Sequence, residues 1–598
     1  MAVNEIALVV VSPAGLATAT RLRAALPGAR IHGLTGRVEG DVGFADTMAH
    51  LRALFAAGIP LVGVCAAAIL IRAVAPLLAD KRAEPPVLAV AVDGSSVVPL
   101  LGGHHGANTL ARRLGEALGV APALTTAGEL SLGLALDDPP PGWRLPDAAV
   151  AKPVAAALLA GDKVALEVEV GEAGWLEGLA FAPDAELVIR VTDRSVTPDG
   201  NELVFHPPVL TLGVGCERGV PPEELSELVH ATLAAEALSP LAVACVASID
   251  LKADEAAVHA LAAELGVPAR FFTAEELERE LPRLATPSEV VFAETGCHGV
   301  AEGAALAAAG TGATLIVPKA KGARSTCAVA RSVATIDPLA VGRPRGRLLV
   351  VGIGPGTPEW RSPEATAAVA AATDLVGYGL YLDLLGAAAA GKTRHESALG
   401  AEEARARKAL DLAAEGRTVA LVCSGDPGIY ALATLVFELM DREKQARWNR
   451  LDVTVVPGIS ALQAAAARAG APVNHDFCTI SLSDLLTPWD SIEARLRAAA
   501  TADFVVCFYN PVSQRRRDQL PRARDILLTG RPPETPVILA RQLGRPGETV
   551  EVISLAELSP DKVDMLTMVV VGNSETRSFT AGSRTWTYTP RGYGRKMS

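Results

Sequence analysis

Five times between residues 347 and 598 a short apolar β-prone run ends in a loop built from glycine, proline, asparagine or serine. Leu348–Val351 runs into Gly352-Ile353-Gly354-Pro355-Gly356-Thr357-Pro358, and Val419–Cys423 into Ser424-Gly425-Asp426-Pro427-Gly428-Ile429-Tyr430. Val453–Val456 precedes Pro457-Gly458-Ile459-Ser460-Ala461, Phe504–Phe508 precedes Tyr509-Asn510-Pro511, and Met568–Val571 precedes Gly572-Asn573-Ser574. Runs this short and this apolar read as buried strands, and interleaved helical segments such as Ala461–Ala469 make the segment α/β. Open α/β sheets bind ligands outside the carboxyl ends of their strands, so all five loops are expected to build one site. Alone, the Gly352–Gly356 turn is open to a purely structural explanation. A dinucleotide fingerprint would want a third glycine packing at a helix start, and the proline in the turn argues against it.

At 598 residues the chain is too long for one hydrophobic core, and three or four domains are expected. The first segments alternate strand and helix: Ile6–Val11 extended, Gly15–Leu26 helical, Pro60–Cys65 extended, a βαβ rhythm that predicts a parallel sheet. Asp137-Asp138-Pro139-Pro140-Pro141-Gly142 interrupts regular structure and closes a first domain, 1–142. A smaller domain, 143–208, carries strand-like runs at Val164–Val170 and Leu187–Val191. A third, 209–336, opens on Val209–Val214 and continues through helices near Glu223–Ala235 and Asp254–Leu265. Residues 337–346 form a short Pro- and Gly-containing linker, and 347–598 forms two α/β subdomains that divide near 460–475. There is no internal repeat, which suggests a fusion rather than a duplication.

A net charge of −12 argues against nucleic acid or anionic membrane as partner, since both require a basic face. The run Arg515-Arg516-Arg517 is a local exception, read as a solvated helix face or an anion contact. The eight cysteines, at 65, 216, 245, 297, 327, 423, 478 and 507, form no CxxC pair, so they are expected to be reduced, with no bound metal. The chain does not open on a signal peptide, and its most apolar stretch, Leu61–Leu70, meets Arg72 too early to span a bilayer. A cytoplasmic protein is expected.

The ordered set of loops from 347 to 598 resembles the tetrapyrrole methylases, two-domain methyltransferases of the class III fold. The resemblance implies S-adenosyl-L-methionine bound by Gly354, Pro355, Ser424, Gly425, Asp426, Ile429, Ser460, Ala461 and Tyr509. It also implies a homodimer through this half. The run from Asn474-His475-Asp476 through Asp484-Leu485-Leu486-Thr487-Pro488-Trp489 is similar to precorrin-3B C-17 methyltransferases, as are Gly377-Tyr378 with Tyr381 and the ending Thr589-Pro590-Arg591-Gly592-Tyr593. Within that resemblance the expected reaction is C-17 methylation of a tetrapyrrole, precorrin-3B or its cobalt form, coupled to ring contraction to precorrin-4, in cobalamin biosynthesis. His475 beside Asp476 is a candidate base for the contraction, or else a brace for its loop. Tyr378, Tyr381, Asp484, Arg541, Arg545 and the arginine run are candidates for the carboxylate-rich substrate.

Residues 64–76 (Val-Cys-Ala-Ala-Ala-Ile-Leu-Ile-Arg-Ala-Val-Ala-Pro) and Leu100-Leu101-Gly102-Gly103-His104-His105-Gly106-Ala107-Asn108 resemble the cobalamin-biosynthesis lactone hydrolases. So do Gly213–Gly219, Ser248–Lys252 and the segment from Lys319 to Arg331. That resemblance implies opening of the cobalt-precorrin-5A lactone with release of acetaldehyde, with His104 as candidate catalytic residue. The sequence departs from that pattern at Ala67, where the family prefers glycine. Gly213–Gly219 precedes a helix, so its amides are expected to meet a carboxylate, and Cys216 is read as a packed thiol or a nucleophile. Two rivals stand beside this reading: an N-terminal half that only binds tetrapyrrole, and a C-terminal half that is a siroheme or diphthamide methylase.

Overall fold

The computed structural model describes residues 6–26, 28–78, 84–103, 106–125, 132–146, 150–197, 201–398 and 400–592. His104 and Tyr593 lie outside the described residues. The molecule is α/β throughout and divides into two compact units. One comprises Met1–Gly346 with Ala414–Arg417 and Gln445–Asp452, the other the remainder of the chain from Arg347.

The first unit holds three sheets. Six strands lie in the spatial order Val42–Phe44, Ala29–Leu34, Ile6–Val10, Leu61–Val64, Val87–Val90, Val97–Leu101, parallel except at the last pairing. The predicted βαβ rhythm is therefore present, with Leu16–Ala25 as its first helix. Because both faces are covered, the strands read as unbroken apolar runs, with Leu8 and Val10 packed on one side and Ala7 and Val9 on the other. Three parallel strands, Ala165–Val168, Val188–Val191 and Glu202–Phe205, form a small second sheet. Its core contains Leu136, Trp143 and Phe205, with the partly buried Trp175 packed against it. Asp137–Gly142 forms turns, as its composition requires.

The third sheet runs Ala269–Phe272, Val243–Ile249, Leu210–Cys216, Ser325–Arg331, Thr314–Lys321, parallel in its first three strands and antiparallel in the last two. The helix Val300–Ala309 lies against Leu210–Cys216 so closely that a Cβ on Gly213 would stand 1.8 Å from the carbonyl oxygen of Ala301. Gly213 thus serves helix packing. The expectation that amides of Gly213–Gly219 meet a ligand is corrected at two positions: the Glu217 N–H donates to the Arg324 carbonyl and that of Gly219 to Glu255. Burial raises the Cys216 thiol above its ordinary pKa, which keeps it protonated and suits the packed reading.

The second unit is built on two five-stranded sheets. The first runs Thr393–Ser397, Asp374–Tyr378, Thr418–Cys423, Arg347–Gly352, Asp452–Val456, its first four strands parallel. The second runs Phe477–Ser481, Val505–Tyr509, Thr567–Val571, Pro536–Arg541, Thr549–Ser554. A small sheet joins Gly470–Ala471 to the hairpin Arg577–Ala581 and Arg584–Tyr588. In the second large sheet Thr567–Val571 is antiparallel to both neighbours, so the flanking strands Val505–Tyr509 and Pro536–Arg541 point the same way. Among the described residues, no helix is long and apolar enough to cross a membrane.

Candidate active site

One cleft of about 310 Å³, the size of a small-molecule site, opens where the carboxyl ends of these strands gather. Pro355 follows Arg347–Gly352, Ser424 to Asp426 and Ile429 to Leu432 follow Thr418–Cys423, and Tyr509 ends Val505–Tyr509 with Asn510 and Pro511 after it. Gln542, Leu543 and Arg545 follow Pro536–Arg541. Ala461 enters from the first turn of helix Ala461–Ala469.

The glycines of these loops touch one another. Gly354 and Gly425 pair through their backbones, the Gly425 N–H donating to the Gly354 carbonyl at 2.8 Å. A Cβ on Gly458 would come within 2.2 Å of the Gly425 carbonyl oxygen, and one on Gly352 within 2.6 Å of the same atom. Three loops from three strands therefore interlock through bare backbone. Asp426 ties the bundle: one carboxylate oxygen accepts the Gly428 N–H at 2.8 Å, the other that of Gly458 at 3.1 Å. It is both the turn-forming aspartate its sequence position suggests and the brace between two loops.

Seven of the nine residues expected around the cofactor line the cleft: Pro355, Ser424, Gly425, Asp426, Ile429, Ala461 and Tyr509. Gly354 is buried behind them with φ +73° and the Trp360 carbonyl where a Cβ would be. Ser460, 2% exposed, caps the helix in a reciprocal box with Gln463 and also stands behind the lining.

The substrate candidates separate. Tyr381 lines the cleft, and Tyr378 meets it edge-on with ring centroids 5.3 Å apart. Asp484 accepts from the Gln519 amide in the loop after Phe477–Ser481, and Arg541 pairs with Asp564 at 2.6 Å. Arg517 pairs with Asp561 and Arg516 donates to the Asn510 carbonyl, so that part of the basic run is bound within the fold.

His475 and Asp476 are not brought to the cleft. They stand in the turn before Phe477–Ser481, at the amino end of a strand whose parallel neighbour reaches the cleft with its carboxyl end. Five residues of strand separate them from that end, about 16 Å. There the His475 Nδ1 accepts the Asp476 N–H at 2.8 Å, a brace within the turn. The loop Gly572-Asn573-Ser574 is also absent from the site, for a topological reason: its strand runs antiparallel, so its carboxyl end lies at the far edge, where Ser574 bonds Asp503. Met565, Leu566, Thr567 and Met568, at the amino end of that strand, line the cleft instead.

Sequence reasoning missed Arg405, Gln542 and the Met565–Met568 segment. Backbone strain marks several lining residues: Tyr430, Asn510 and Gln542 all adopt positive φ, at 51°, 49° and 50°. The Tyr430 hydroxyl donates to the Thr479 carbonyl while its ring tilts against Tyr509, which spans the cleft from one sheet to the other. Burial raises the phenols of Tyr381 and Tyr509 above their ordinary value, so both are hydrogen-bond donors at neutral pH. Cys423, pushed up to about 11 by burial, is a thiol.

Residues 347–559 match the family model of tetrapyrrole (corrin/porphyrin) methylases. Residues 49–129 match that of the cobalamin synthesis G N-terminal region, and 210–330 that of the cobalamin synthesis G C-terminus. Cobalamin biosynthesis protein CobIJ of Mycobacterium tuberculosis (strain ATCC 25618 / H37Rv) is 45% identical over 252 residues, 42% of this chain and 48% of that protein. The chain thus spans about half the length of that relative. The precorrin-3B C(17)-methyltransferase of a Sinorhizobium species is 44% identical over 249 residues, 42% of this chain and 97% of that protein. The crystal structure of the methyltransferase CobJ aligns at 43% identity over 41% of this chain and 100% of that one, with a TM-score of 0.39.

Proposed function

Since the chain belongs to the tetrapyrrole (corrin/porphyrin) methylases, we propose that its second unit methylates C-17 of precorrin-3B, or the cobalt form of that macrocycle, with contraction of the ring to precorrin-4. The observation that carries this is the convergence of loops from both large sheets on one cleft lined by Pro355, Ser424, Asp426, Ile429, Ala461 and Tyr509.

These residues suit S-adenosyl-L-methionine. Tyr509 and Tyr430 offer aromatic faces to an aromatic or cationic group, Ile429 and Ala461 offer apolar contact, and Ser424 offers a hydroxyl. The cofactor supplies an electrophilic methyl group on a sulfonium. The protein's task is then to hold a carbon nucleophile in line and exclude water, for which interlocked loops of fixed backbone are well made. Tyr381 donates a hydrogen bond from a half-buried phenol to whatever charge develops on the macrocycle near it. With His475 at the other end of its strand, the proton removed during contraction goes to a group in the cleft or to solvent.

The first unit carries cobalamin synthesis G segments, and we propose that it opens the lactone of cobalt-precorrin-5A. The protein is proposed to be cytoplasmic and a homodimer through its second unit, as the family resemblance implies; light scattering tests the dimer. Incubating the purified protein with S-adenosylmethionine and either precorrin-3B or its cobalt form, then weighing the product, tests the main reading. A gain of one methyl group is expected on at least one of them. Acetaldehyde release from cobalt-precorrin-5A separates a hydrolytic first unit from one that only binds tetrapyrrole.

A further inference from the structure

Among the described residues, two arginines in the cleft have no counter-ion. Arg405, 5% exposed, donates from Nε to Ser397 Oγ at 2.6 Å and from Nη2 to the Ala398 carbonyl at 2.8 Å. Arg545 donates from Nε to the Pro355 carbonyl at 2.9 Å and from Nη2 to Ser424 Oγ at 3.1 Å. Among the described residues, neither has a carboxylate within 4 Å, whereas other arginines do: Arg331 reaches Asp193, Arg343 Glu276 and Arg407 Glu443, all at 2.6 Å. Other buried arginines held by neutral acceptors are structural staples outside the cleft, Arg531 gripping the carbonyls of Gly572, Ala499 and Phe504, and Arg270 those of Leu339, Val341 and Gly342. Arg405 and Arg545 differ from these. Each has two neutral partners for five N–H donors, and each lines the cleft.

The cleft's own carboxylates do not compensate them. Asp426 has both oxygens on backbone amides, and the Glu402 carboxylate accepts the Gly400 N–H. Burial lowers the Arg545 guanidinium below its usual range, which records the cost of a cation held without a partner. Arg405, Arg545 and the half-buried Tyr381 all line this one cleft, and both guanidinium charges offset part of the rise that burial imposes on the Tyr381 phenol.

We propose that Arg405, Arg545 and the Tyr381 hydroxyl form a carboxylate-binding pole of the cleft, with Arg545 the residue that decides which carboxylate-bearing ligand is held. This rests on the methyltransferase reading, which places two such carboxylates within reach: the amino-acid end of the cofactor and an acetate or propionate arm of the macrocycle. A guanidinium fork matches either one in bidentate fashion.

Three probes titrated into the full chain and its Arg545→Gln and Arg545→Lys variants test the pole: S-adenosylhomocysteine, methylthioadenosine, which lacks the amino-acid carboxylate, and uroporphyrin, which carries acetate and propionate arms. Arg545→Gln is expected to weaken S-adenosylhomocysteine or uroporphyrin by about ten- to a hundredfold, the range for losing a charged hydrogen bond, with methylthioadenosine unchanged and Arg545→Lys intermediate. Loss on S-adenosylhomocysteine alone assigns the pole to the cofactor; loss on uroporphyrin alone assigns it to the macrocycle. Equal loss on methylthioadenosine would mean that Arg545 only props the Pro355 and Ser424 loops, and no loss on any probe would mean that it binds nothing; either overturns the pole. A wild-type chain that binds uroporphyrin but neither nucleoside refutes the methyltransferase reading and leaves the pole standing or falling on the uroporphyrin arm. A chain that binds none of the three refutes both.

Discussion

Asp426 and His475 are both polar residues in loops of the same unit, yet the fold gives them different tasks. The Asp426 carboxylate satisfies two amides from two loops, and replacing it by alanine leaves both donors without that acceptor. Asp426→Ala is expected to weaken S-adenosylhomocysteine by at least tenfold and to lower the melting temperature, an unmet amide costing about 1–3 kcal/mol. Asp426→Asn, which keeps one acceptor oxygen, should fall between. Calorimetry on the three proteins checks the order, and equal affinity in all of them would free Asp426 of any part in shaping the site. For His475 the expected pattern is reversed. Its Nδ1 holds the Asp476 N–H at the amino end of an edge strand, so His475→Ala should cost some thermal stability and leave turnover within a few-fold of wild type. A base directly in the ring contraction would instead cost about a hundred- to ten-thousandfold, and a loss of that size in a folded variant would return His475 to the chemistry.

Element positions were legible in the sequence because buried strands are short apolar runs between breakers. The apolar runs Val419–Cys423 and Val453–Val456 lie within a residue of the observed Thr418–Cys423 and Asp452–Val456, and helix Ala461–Ala469 matches. Strand direction was not legible. An apolar run looks the same read toward or away from a site, so nothing in Met568–Val571 announced that its partner strands run the other way and that its amino end, not Gly572–Ser574, reaches the cleft. Nor does a glycine say what it approaches: Gly352 and Gly458 meet backbone, and Gly213 meets a helix. Arg405 carries no signal in the sequence because it sits inside the ordinary amphipathic helix Glu402–Ala414, and only the fold brings it to the cleft. Glu302 shows the same limit in the first unit. It is 2% exposed in helix Val300–Ala309, and it accepts the N–H of Ala285, Thr286 and Lys319 and the Thr286 hydroxyl, joining that helix to a loop and to strand Thr314–Lys321. Burial alone would raise its pKa, but these bonds together hold it below the ordinary value. A depressed folded pKa means that the stabilisation is complete above the unfolded value of about 4.3 and is lost as pH falls through the folded one. Glu302→Gln should therefore be less stable than wild type to urea at pH 7, with the gap narrowing in acid. A gap independent of pH would show that the charge of Glu302 contributes nothing.

At the scale of the whole molecule, two sets of domains with separate cores are carried on one chain, and the cleft is lined by residues of the second unit alone. That partition has a thermodynamic consequence. A ligand that binds only the folded form of one unit raises the stability of whatever unfolds cooperatively with that site, by RT ln(1 + [L]/Kd), or about 2.7 kcal/mol at a hundredfold excess over Kd. A chain of this size with several cores is not expected to melt as a single two-state system. Scanning calorimetry should resolve more than one transition, and S-adenosylhomocysteine should move the one that belongs to residues 347–598 while leaving the other within error. The two are told apart by the Glu302→Gln variant, whose effect should fall on the transition that the ligand leaves in place, since Glu302 and all its partners lie in the first unit. A ligand and a substitution that moved the same transition would mean that the two units unfold as one, and that a fusion of separable enzymes is the wrong description of how this chain holds together.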